Sequence, residues 1–299
     1  MRILVTGSRG YLGSRLLEYL KGHFPQAVVL GVSRQSNRKG ELHCRFDQVH
    51  VVKKLLANAR PDIVFHCVGT TLPGPWGALD RAHIQPTVHL LEAVRSAPGK
   101  KPRIVILGSA AEYGSGRARS RYSEQAVPRP ETLYGVSKNI QTTIAMVYAR
   151  WGVPVLVARL FNLLAPDAPL AFAVPRVIKL LQEIPKGKIG KVSVGPREAV
   201  RDFIPLQDAL RALTLLGIRG KPGEIYNVCS GKGIRMGDLF ESLAKGAGVK
   251  VRWVTQGRGS LRSHTSYSVG DAGKIRRHIG WTPKLNALDE AKRLLCKLS

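Results

Sequence analysis

The stretch TGSRGYLG at residues 6–13 decides how the chain begins to fold. An apolar run over residues 2–5 precedes it and indicates a buried strand, and the apolar spacing of residues 12–20 indicates a helix after it. The three glycines permit a tight turn, a close approach of the backbone to a phosphate group, and close packing of the helix on the strand. Because a helix N-terminus offers free N–H groups and a partial positive charge, the stretch predicts a phosphate-binding turn.

The alternation of strand and helix continues through residue 160. Strands are indicated at residues 28–32, 62–68, 104–107 and 153–160, and helices at residues 51–59, 87–94 and 134–148. The strands are rich in β-branched residues and nearly continuous in apolarity, as strands buried on both faces are. The pattern predicts an α/β fold with a doubly wound parallel sheet of the Rossmann type and a smaller C-terminal substrate domain.

The rhythm changes after Asn162, where several prolines interrupt it. A helix near residues 208–216 and a strand at residues 224–228 indicate a return to the main sheet. We therefore predict two domains, each built from two segments. The dinucleotide-binding domain is expected to comprise residues 1–162 and 204–231, and the substrate-binding domain residues 163–203 and 232–299.

The chain carries a net charge of +27, from 47 Lys and Arg against 20 Asp and Glu. An anionic partner, such as a diphosphate or a nucleic acid, would account for this excess. A general bias toward basic residues, solvated over the whole surface, would account for it equally well. The charge alone therefore does not choose between functions.

Other global features favour a location in the cytoplasm. No run of eighteen apolar residues occurs, so no membrane span is expected. The apolar run near the N-terminus ends at Gly7 and is too short for an export signal. The four cysteines form no C-x-x-C pair, so we expect neither a zinc site nor another metal site nor a disulfide framework. Free thiols fit a reducing compartment.

The segment after the second predicted strand bears on the choice of dinucleotide. That strand should end near Ser33, where an Asp or Glu would bind the ribose hydroxyls of NAD. The segment from Ser33 to Arg38 contains no carboxylate, which would in any case repel a 2′-phosphate. Arg34 can pair with the 2′-phosphate of NADP in a bidentate manner, assisted by Arg9 or Arg38. The segment predicts NADP(H), with NAD less favoured, unless Arg34 is one of the many surface arginines of a basic protein.

Three residues are candidates for the catalytic chemistry. Tyr134 and Lys138 are four positions apart on a predicted helix, so the ammonium lies beside the phenol. A tyrosine has a pKa of about 10 in water, and a nearby cation lowers it. The phenol can then exchange a proton with a carbonyl or carbinol oxygen while hydride moves on the other side. Ser109 ends a predicted strand, where its hydroxyl can hydrogen-bond the reacting oxygen.

These motifs together resemble the extended short-chain dehydrogenases of the NAD-dependent epimerase/dehydratase family. The resembling stretches are TGSRGYLG at 6–13, HCVG at 66–69, TVHLLEA at 87–93, SAAEYG at 109–114, YGVSK at 134–138, RLFN at 159–162, VRDF at 200–203, YNVCSG at 226–231 and GWTP at 280–283. The C-terminal half is most similar to that of the GDP-4-dehydro-6-deoxy-D-mannose reductases. The resemblance implies a nucleotide-diphosphate-sugar substrate and a homodimer formed through the helices near Thr87 and Tyr134.

The motifs and the resemblance together give a set of candidate binding residues. The candidate cofactor-binding residues are Gly7, Arg9, Gly10, Tyr11, Leu12, Gly13, Ser33, Arg34, Arg38, Phe46, Asp47, Val68 and Gly69. The candidate substrate-binding residues are Thr71, Asn162, Arg201 and Arg262. The resemblance implies that Asp47 contacts the adenine, that Asn162 lies near the sugar diphosphate, and that Arg201 lies near the nucleotide. Arg262 matches less well, since the family arginine lies one residue further from the aspartate.

Several positions depart from the family pattern. The 4,6-dehydratases of this superfamily carry an acidic pair where this chain has Ala110 and Ala111. Methyl groups cannot act as acid or base, so dehydration is not expected. His83 and Pro86 stand where the family usually has Asn and Gly, which puts the identity of the substrate in doubt more than the fold.

Three functional hypotheses remain open. In the first, NADPH reduces a nucleotide-linked 4-keto-6-deoxy-sugar at C4, and Tyr134 donates the proton. In the second, the chain is a nucleotide-sugar 4-epimerase that retains NAD tightly. In the third, it is a non-catalytic dinucleotide sensor or RNA-binding protein. The third is less favoured because such relatives often lose the pair that Tyr134 and Lys138 form here, so nucleic acid is not the expected partner.

Overall fold

A computed structural model describes residues 1–35, 40–72, 74–114, 120–165, 167–170, 172–185, 187–255 and 267–296. Two of the candidate binding residues, Arg38 and Arg262, lie outside these described residues.

The described residues form the following strands and helices. The strands are β1 Arg2–Thr6, β2 Val28–Ser33, β3 Glu41–His43, β4 Ile63–His66, β5 Arg103–Ser109, β6 Val155–Leu160, β7 Asn162–Leu164, β8 Ile189–Val194, β9 Val200–Pro205, β10 Ile225–Val228, β11 Gly233–Arg235, β12 Lys250–Thr255 and β13 Tyr267–Ser268. The helices are α1 Tyr11–His23, α2 Val49–Ala59, α3 Trp76–Leu79, α4 Gln85–Arg95, α5 Leu133–Arg150, α6 Ala173–Gln182, α7 Leu206–Arg219, α8 Met236–Gly246, α9 Gly273–Ile279 and α10 Ala287–Cys296. A π-helical turn spans Asp80–Ile84, and a 3-10 turn spans Ala110–Glu112.

Seven strands form one parallel sheet in the order β10-β6-β5-β4-β1-β2-β3. From β1 the chain moves outward to β2 and β3, returns through α2 to β4, and continues through β5 and β6 toward β10 on the other side. The strand order reverses between β1 and β4, which pair in parallel. Ligands of open α/β sheets bind beside such a reversal, at the carboxyl ends of the strands. The predicted doubly wound parallel sheet is confirmed.

Apolar side chains cover both faces of this sheet. On one face, α1, α7 and α9 pack through residues such as Leu16, Leu213 and Ile275. On the other face, α2, α4 and α5 pack through residues such as Val52 and Leu90. Each helix presents one apolar stripe inward, as amphipathic helices on a sheet do. The two cores hold the carboxyl edge of the sheet rigid, so side chains projecting from it keep fixed positions.

A third apolar core lies around α6, α8 and β8 and includes Val177, Leu181 and Leu239. Two smaller sheets accompany it, one with the order β11-β9-β13 plus β7 on β9, and one with the order β12-β8. The strand expected at residues 224–228 joins the main sheet beside β6, as predicted. The division into two domains stays a prediction, and two of its limits, 162/163 and 203/204, fall inside β7 and β9.

Across the described ranges, none of the helices combines enough length with enough apolarity to cross a membrane.

Candidate functional site

The glycines of the phosphate loop lie too close to their neighbours to be replaced by larger residues. Gly7 has a φ of 66°, and a Cβ there would lie 2.7 Å from the carbonyl oxygen of Cys67. A Cβ at Gly13 would collide with the carbonyl oxygen of Gly7. Gly10 is the N-cap of α1, so the helix starts without a side-chain cap, and its first turn contains no acidic residue. The loop therefore fits the pyrophosphate of a dinucleotide at a helix N-terminus.

A carboxylate lies beside this loop, although the segment from Ser33 to Arg38 contains none. Glu41, the first residue of β3, pairs in register with Gly31 on β2. Its Oε1 accepts a hydrogen bond from the hydroxyl of Ser8, and its Oε2 accepts one from Arg9 Nε at 2.9 Å. Burial opposes ionisation of Glu41, but the hydrogen bonds from Ser8 and Arg9 hold its pKa below the usual value. Arg9 is thus paired with a carboxylate that the sequence analysis did not place here.

The other residues predicted to contact the adenosine follow β2 and β3. Ser33 ends β2, and its hydroxyl donates to the carbonyl oxygen of Gln35 at 2.9 Å. Arg34 is exposed and has no ion-pair partner in the part of the chain that the structure describes. Phe46 is buried with a φ of 54°, a left-handed conformation that is uncommon for a bulky residue, and it leaves Asp47 exposed. Arg34 is therefore accessible to an anionic ligand.

The loop after β4 packs against the phosphate loop. A Cβ at Gly7 would lie 2.9 Å from the main-chain nitrogen of Val68. Val68 is half-buried, and Gly69 and Thr71 are exposed further along the same loop. The structure thus brings two segments predicted to bind the cofactor into direct contact, although 61 positions separate Gly7 from Val68.

The first turn of α1 is tied to the loop that follows β7. Tyr11 and Leu12 are half-buried where the helix begins. The hydroxyl of Tyr11 donates to Asp167 Oδ1 at 2.6 Å, and Arg15 forms an ion pair with the same carboxylate. This contact holds residues after β7 over the phosphate-loop end of α1.

The candidate catalytic residues come from two neighbouring elements. Ser109 ends β5, and Tyr134 and Lys138 lie in the first two turns of α5. The hydroxyl of Thr132 caps this helix by accepting from the N–H of Gly135 at 3.0 Å. Hydrogen bonding with Ser109 lowers the pKa of Tyr134, which indicates that the two hydroxyls lie close together. Ser109 and Tyr134 therefore lie together at the carboxyl edge of the sheet, and Lys138 follows Tyr134 one turn further along α5.

Burial governs the protonation of this group. Burial raises the pKa of Tyr134, and the negative charge of Glu112 raises it further. The hydrogen bond with Ser109 acts in the opposite direction but does not cancel them. Burial lowers the pKa of Lys138 to about 8, while Glu112 works in the opposite direction. The ammonium donates to Gln141 Oε1 and to a main-chain carbonyl of β5. Because the ammonium faces those groups, the lowering of the Tyr134 pKa that the spacing predicted does not occur in this arrangement.

A buried ion pair supports Ser109. Glu112 Oε1 accepts from the main-chain N–H of Ser109 at 2.8 Å, and its Oε2 accepts from Arg159 Nε at 2.7 Å. The two side chains are 0% and 2% exposed. Gly108 leaves the room for them, since a Cβ there would lie 2.7 Å from Glu112 Oε1. Both residues stand in stretches singled out in the sequence, but no local pattern indicates that residues 47 positions apart form a pair.

The candidate substrate-binding residues lie on neighbouring strands or outside the described chain. Asn162 and Arg201 lie on β7 and β9, which are paired. The side-chain amide of Asn162 donates to the carbonyl oxygen of Asp202 at 2.9 Å. Arg201 is half-buried, burial lowers its pKa, and among the described residues no carboxylate forms an ion pair with it. Thr71 lies apart from them in sequence, on the exposed loop after β4.

Histidine and cysteine side chains near the sheet are packed residues. His66 is 1% exposed, its Nδ1 lies 2.9 Å from the hydroxyl of Thr6, and burial lowers its pKa to about 3. Cys44, Cys67 and Cys229 are free thiols. Within the described ranges, no three His, Cys, Asp or Glu residues are grouped so that they could hold a metal ion.

Known proteins resemble the chain over almost its whole length. A GDP-6-deoxy-D-mannose reductase of Pseudomonas aeruginosa is 27% identical over 310 aligned residues, which cover 98% of this chain and 96% of that protein. A dTDP-glucose 4,6-dehydratase of Shigella flexneri is 25% identical and covers 95% of this chain and 89% of its own length. The structure of RMD from Pseudomonas aeruginosa complexed with NADPH has a TM-score of 0.83 and 25% identity, covering 98% of this chain and 97% of that one.

A family model agrees with these relatives and with the geometry. The model of the NAD dependent epimerase/dehydratase family matches residues 3–229, from β1 to the end of β10. This range contains the phosphate loop, Ser109, Tyr134 and Lys138. The extended short-chain dehydrogenases act with a pyridine nucleotide, which the glycine loop at the start of α1 fits. The chain is thus an enzyme of the extended short-chain dehydrogenase type and belongs to the NAD dependent epimerase/dehydratase family.

Proposed function

We propose that the chain reduces the 4-keto group of a nucleotide-diphosphate-linked 6-deoxy-sugar with NADPH. The observation that carries the proposal is the 3-10 turn Ala110–Glu112 after Ser109, which packs against the first turn of α5 and has alanine at its first two positions. Reduction needs one proton donor and a hydride, whereas elimination of water needs further acid–base groups. The similarity to the GDP-6-deoxy-D-mannose reductase along 98% of the chain supports the same class of reaction.

NADPH is the proposed cofactor because basic side chains lie where β2 ends. Arg34 is exposed there, and Arg9 lies on the phosphate loop itself. A guanidinium binds a phosphate through paired hydrogen bonds, and a 2′-phosphate would offer Arg9 a second partner beside Glu41. The relative of known structure that was solved with NADPH supports this choice. The phosphate loop and the Val68–Gly69 segment would hold the rest of the dinucleotide.

A nucleoside diphosphate fits Arg201 on β9, a cation with no carboxylate partner among the described residues. Arg201 is half-buried, and its Nη1 donates to the main-chain carbonyl of Val200 at 3.0 Å. Burial destabilises a cation that has no carboxylate beside it, and a bound anion stabilises the charged form. Asn162, on the adjoining strand β7, has an exposed side chain that can contact the same ligand. The two residues would hold the diphosphate of the substrate.

The side chains of the site then have separate roles in the reduction. A bound nicotinamide supplies the hydride to C4. Tyr134 donates a proton to the C4 oxygen, and its raised pKa keeps the phenol protonated at neutral pH. Ser109 accepts from the N–H of Ala111 at 3.2 Å, so its own proton remains available for the phenol or the sugar oxygen. Lys138 is charged below about pH 8. Turned from Gln141 toward the phenol, its ammonium would stabilise the phenolate that forms.

Consumption of NADPH tests the proposal. The purified chain is mixed with NADPH and with GDP-, UDP-, dTDP- and CDP-linked 4-keto-6-deoxy-sugars in turn, and the loss of NADPH absorbance is followed. We expect turnover with at least one of them, faster with NADPH than with NADH. Tyr134→Phe should lower kcat by about 10²–10⁴-fold, the usual contribution of a proton donor, while NADPH still binds. No turnover with any of the four would contradict the proposal.

A 4-epimerase with retained NAD is a second candidate, and Glu41 favours it. A carboxylate beside the phosphate loop, bonded to Ser8 and Arg9, suits ribose hydroxyls better than a 2′-phosphate. Nucleotide released from the denatured, freshly purified protein separates the two candidates. Stoichiometric NAD in the protein would support the epimerase, and a protein that gains nucleotide only from added NADPH would support the reductase.

A further inference from the structure

His83 occupies an unusual place in the backbone. It lies in the π-helical turn Asp80–Ile84, between α3 and α4, and is 1% exposed. Turns of this type are rare and are frequent at functional sites, because the extra residue reorients a side chain. The ring of His83 meets the ring of Tyr134 edge to face, with centroids 5.6 Å apart and an interplanar angle of 73°. The turn thus directs a buried imidazole against the proposed proton donor.

The two nitrogens of the ring contact two different elements. Nδ1 lies 2.9 Å from the hydroxyl of Ser137 on α5, and that hydroxyl also lies 2.8 Å from the carbonyl oxygen of Tyr134. Nε2 lies 3.1 Å from the main-chain nitrogen of Thr70 and 2.9 Å from its carbonyl oxygen. Burial, with a smaller effect of Lys138, lowers the pKa of His83 to about 4, although the hydrogen bond with the main chain of Thr70 raises it, so the ring is neutral at pH 7.

The main chain of His83 reaches the other catalytic side chain. Its carbonyl oxygen accepts from Gln141 Nε2 at 3.2 Å and from Thr87 Oγ1 at 2.6 Å. The same amide group of Gln141 accepts from the ammonium of Lys138 through its oxygen. The side-chain amide of Gln141 is fixed in orientation, because its Nε2 also donates to Thr87 Oγ1 at 2.7 Å. One residue therefore contacts Tyr134 with its ring and orients Lys138 through Gln141.

The other end of the ring reaches the cofactor side of the site. Thr70 belongs to the loop after β4, whose residues Cys67 and Val68 pack against Gly7 of the phosphate loop. A Cβ at Gly69 would lie 3.0 Å from the imidazole ring of His83. The loop therefore contacts the imidazole at Gly69 and Thr70.

We propose that His83 is a positioning residue that fixes the spacing between this loop and α5, holding Ser137 with Nδ1 and Thr70 with Nε2. The cofactor and the proton donor are bound by different elements, and hydride and proton must reach the same carbonyl group. A rigid link between the two elements keeps both in reach of that group. The part of the proposal that concerns turnover rests on the proposed reduction.

Two amide substitutions separate the two contacts. His83→Asn places an amide nitrogen near the position of Nδ1 and removes the partner of Thr70, and His83→Gln places an amide near Nε2 and removes the partner of Ser137. A hydrogen bond contributes about 0.5–1.5 kcal/mol, so each loss corresponds to a change of about 2- to 10-fold. We expect the Asn variant to weaken NADPH binding more than it lowers kcat. We expect the Gln variant to lower kcat more than it weakens NADPH binding.

The measurements are NADPH titration, steady-state kinetics and thermal unfolding of each variant. His23→Asn serves as the matched control, because His23 lies at the exposed end of α1 and bonds to a main-chain oxygen of its own helix. Equal effects of the two amide variants on binding and kcat would overturn the proposal, as would no effect from either.

A spectroscopic arm does not depend on turnover. The ¹⁵N spectrum of the histidines, with His83 assigned by the signal lost in His83→Asn, should report a neutral ring in one tautomer at pH 7, because Ser137 holds Nδ1 and Thr70 holds Nε2. A ring divided between two tautomers would overturn the positioning role, since neither contact would then be fixed. If no sugar is reduced but the tautomer and the NADPH titration agree, the proposed function fails and the positioning role stands.

Discussion

Lys138 and Tyr134 lose their protons in an order that their surroundings impose. Burial lowers the pKa of Lys138 to about 8, and burial raises the pKa of Tyr134 above its usual value of about 10. As the pH rises, the ammonium therefore loses its proton before the phenol does. The charge that stabilises a forming phenolate is lost while the proton donor is still intact.

This order predicts the pH dependence of the reduction. We expect kcat for NADPH oxidation to be constant at neutral pH and to fall as the pH rises through about 8, because Lys138 is then neutral. In Lys138→Arg the cation persists at every accessible pH, so the alkaline fall should disappear even though kcat is lower. A wild-type profile that stays level to pH 10 would contradict the role given to Lys138.

The buried ion pair of Glu112 with Arg159 should stabilise the fold only while both charges are present. Arg159→Met leaves the carboxylate of Glu112 buried without its partner, which should lower the free energy of unfolding by about 3–5 kcal/mol. The double substitution Glu112→Gln with Arg159→Met removes both charges and should recover much of that loss. Denaturant unfolding measures both. The exposed pair of Arg235 with Asp238 is the control, since water screens it and Arg235→Met should leave the free energy of unfolding nearly unchanged.

Equal stability of Arg159→Met and the wild type would contradict this account of the buried pair. A double variant no more stable than Arg159→Met would contradict it as well, because the penalty would then not come from an unpaired charge.

At the scale of elements, α1 provides a matched test of the phosphate loop. Gly13 and Gly22 are two glycines of the same helix, and a Cβ at Gly13 would collide with the carbonyl oxygen of Gly7 while a Cβ at Gly22 meets nothing within 4 Å. Gly13→Ala should weaken NADPH binding by at least about tenfold, which is about 1.4 kcal/mol. Gly22→Ala should leave binding intact and raise the free energy of unfolding by up to about 1 kcal/mol. Similar NADPH affinities for the two variants would show that the loop does not hold the dinucleotide.

The elements that the sequence predicted are those with a strong local signal. The strands of the main sheet and helices α1, α2, α4 and α5 follow from apolar runs and helical spacing, and so does the position of the phosphate loop. The third strand was missed because it has only three residues, Glu41–His43, and two of them are polar. With it the sequence analysis missed Glu41, whose contact with Arg9 spans 32 positions.

The candidate catalytic site likewise contains residues that the sequence predicted and residues that it did not. Ser109, Tyr134 and Lys138 are visible from spacing and from strand and helix ends. The roles of His83 and Gln141 are not visible, because the contacts of His83 with Thr70, Ser137 and Gln141 span 13 to 58 positions and depend on a π-helical turn that no sequence pattern marked.

At the scale of the whole molecule, some of the few acidic residues join different elements. The ion pairs of Arg9 with Glu41 and of Arg15 with Asp167 are examples close to the phosphate loop. The remaining excess of positive charge attracts anions in general, and a nucleoside diphosphate gains from it as a nucleic acid would. The homodimer through α4 and α5, the cytoplasmic location and the absence of nucleic acid among the partners stay predictions.

The fate of the transferred hydrogen tests the central claim most directly. The purified chain is incubated with the 4-keto-6-deoxy-sugar nucleotide that it turns over and with NADPH dideuterated at C4 of the nicotinamide, and the mass of the sugar product is measured. A reductase transfers one deuterium to C4 for each NADPH consumed, and Tyr134→Phe should lower the rate without changing the label. A product formed without deuterium, while NADPH remains unconsumed, would contradict reduction and would be the result expected of an epimerase that recycles its own hydride.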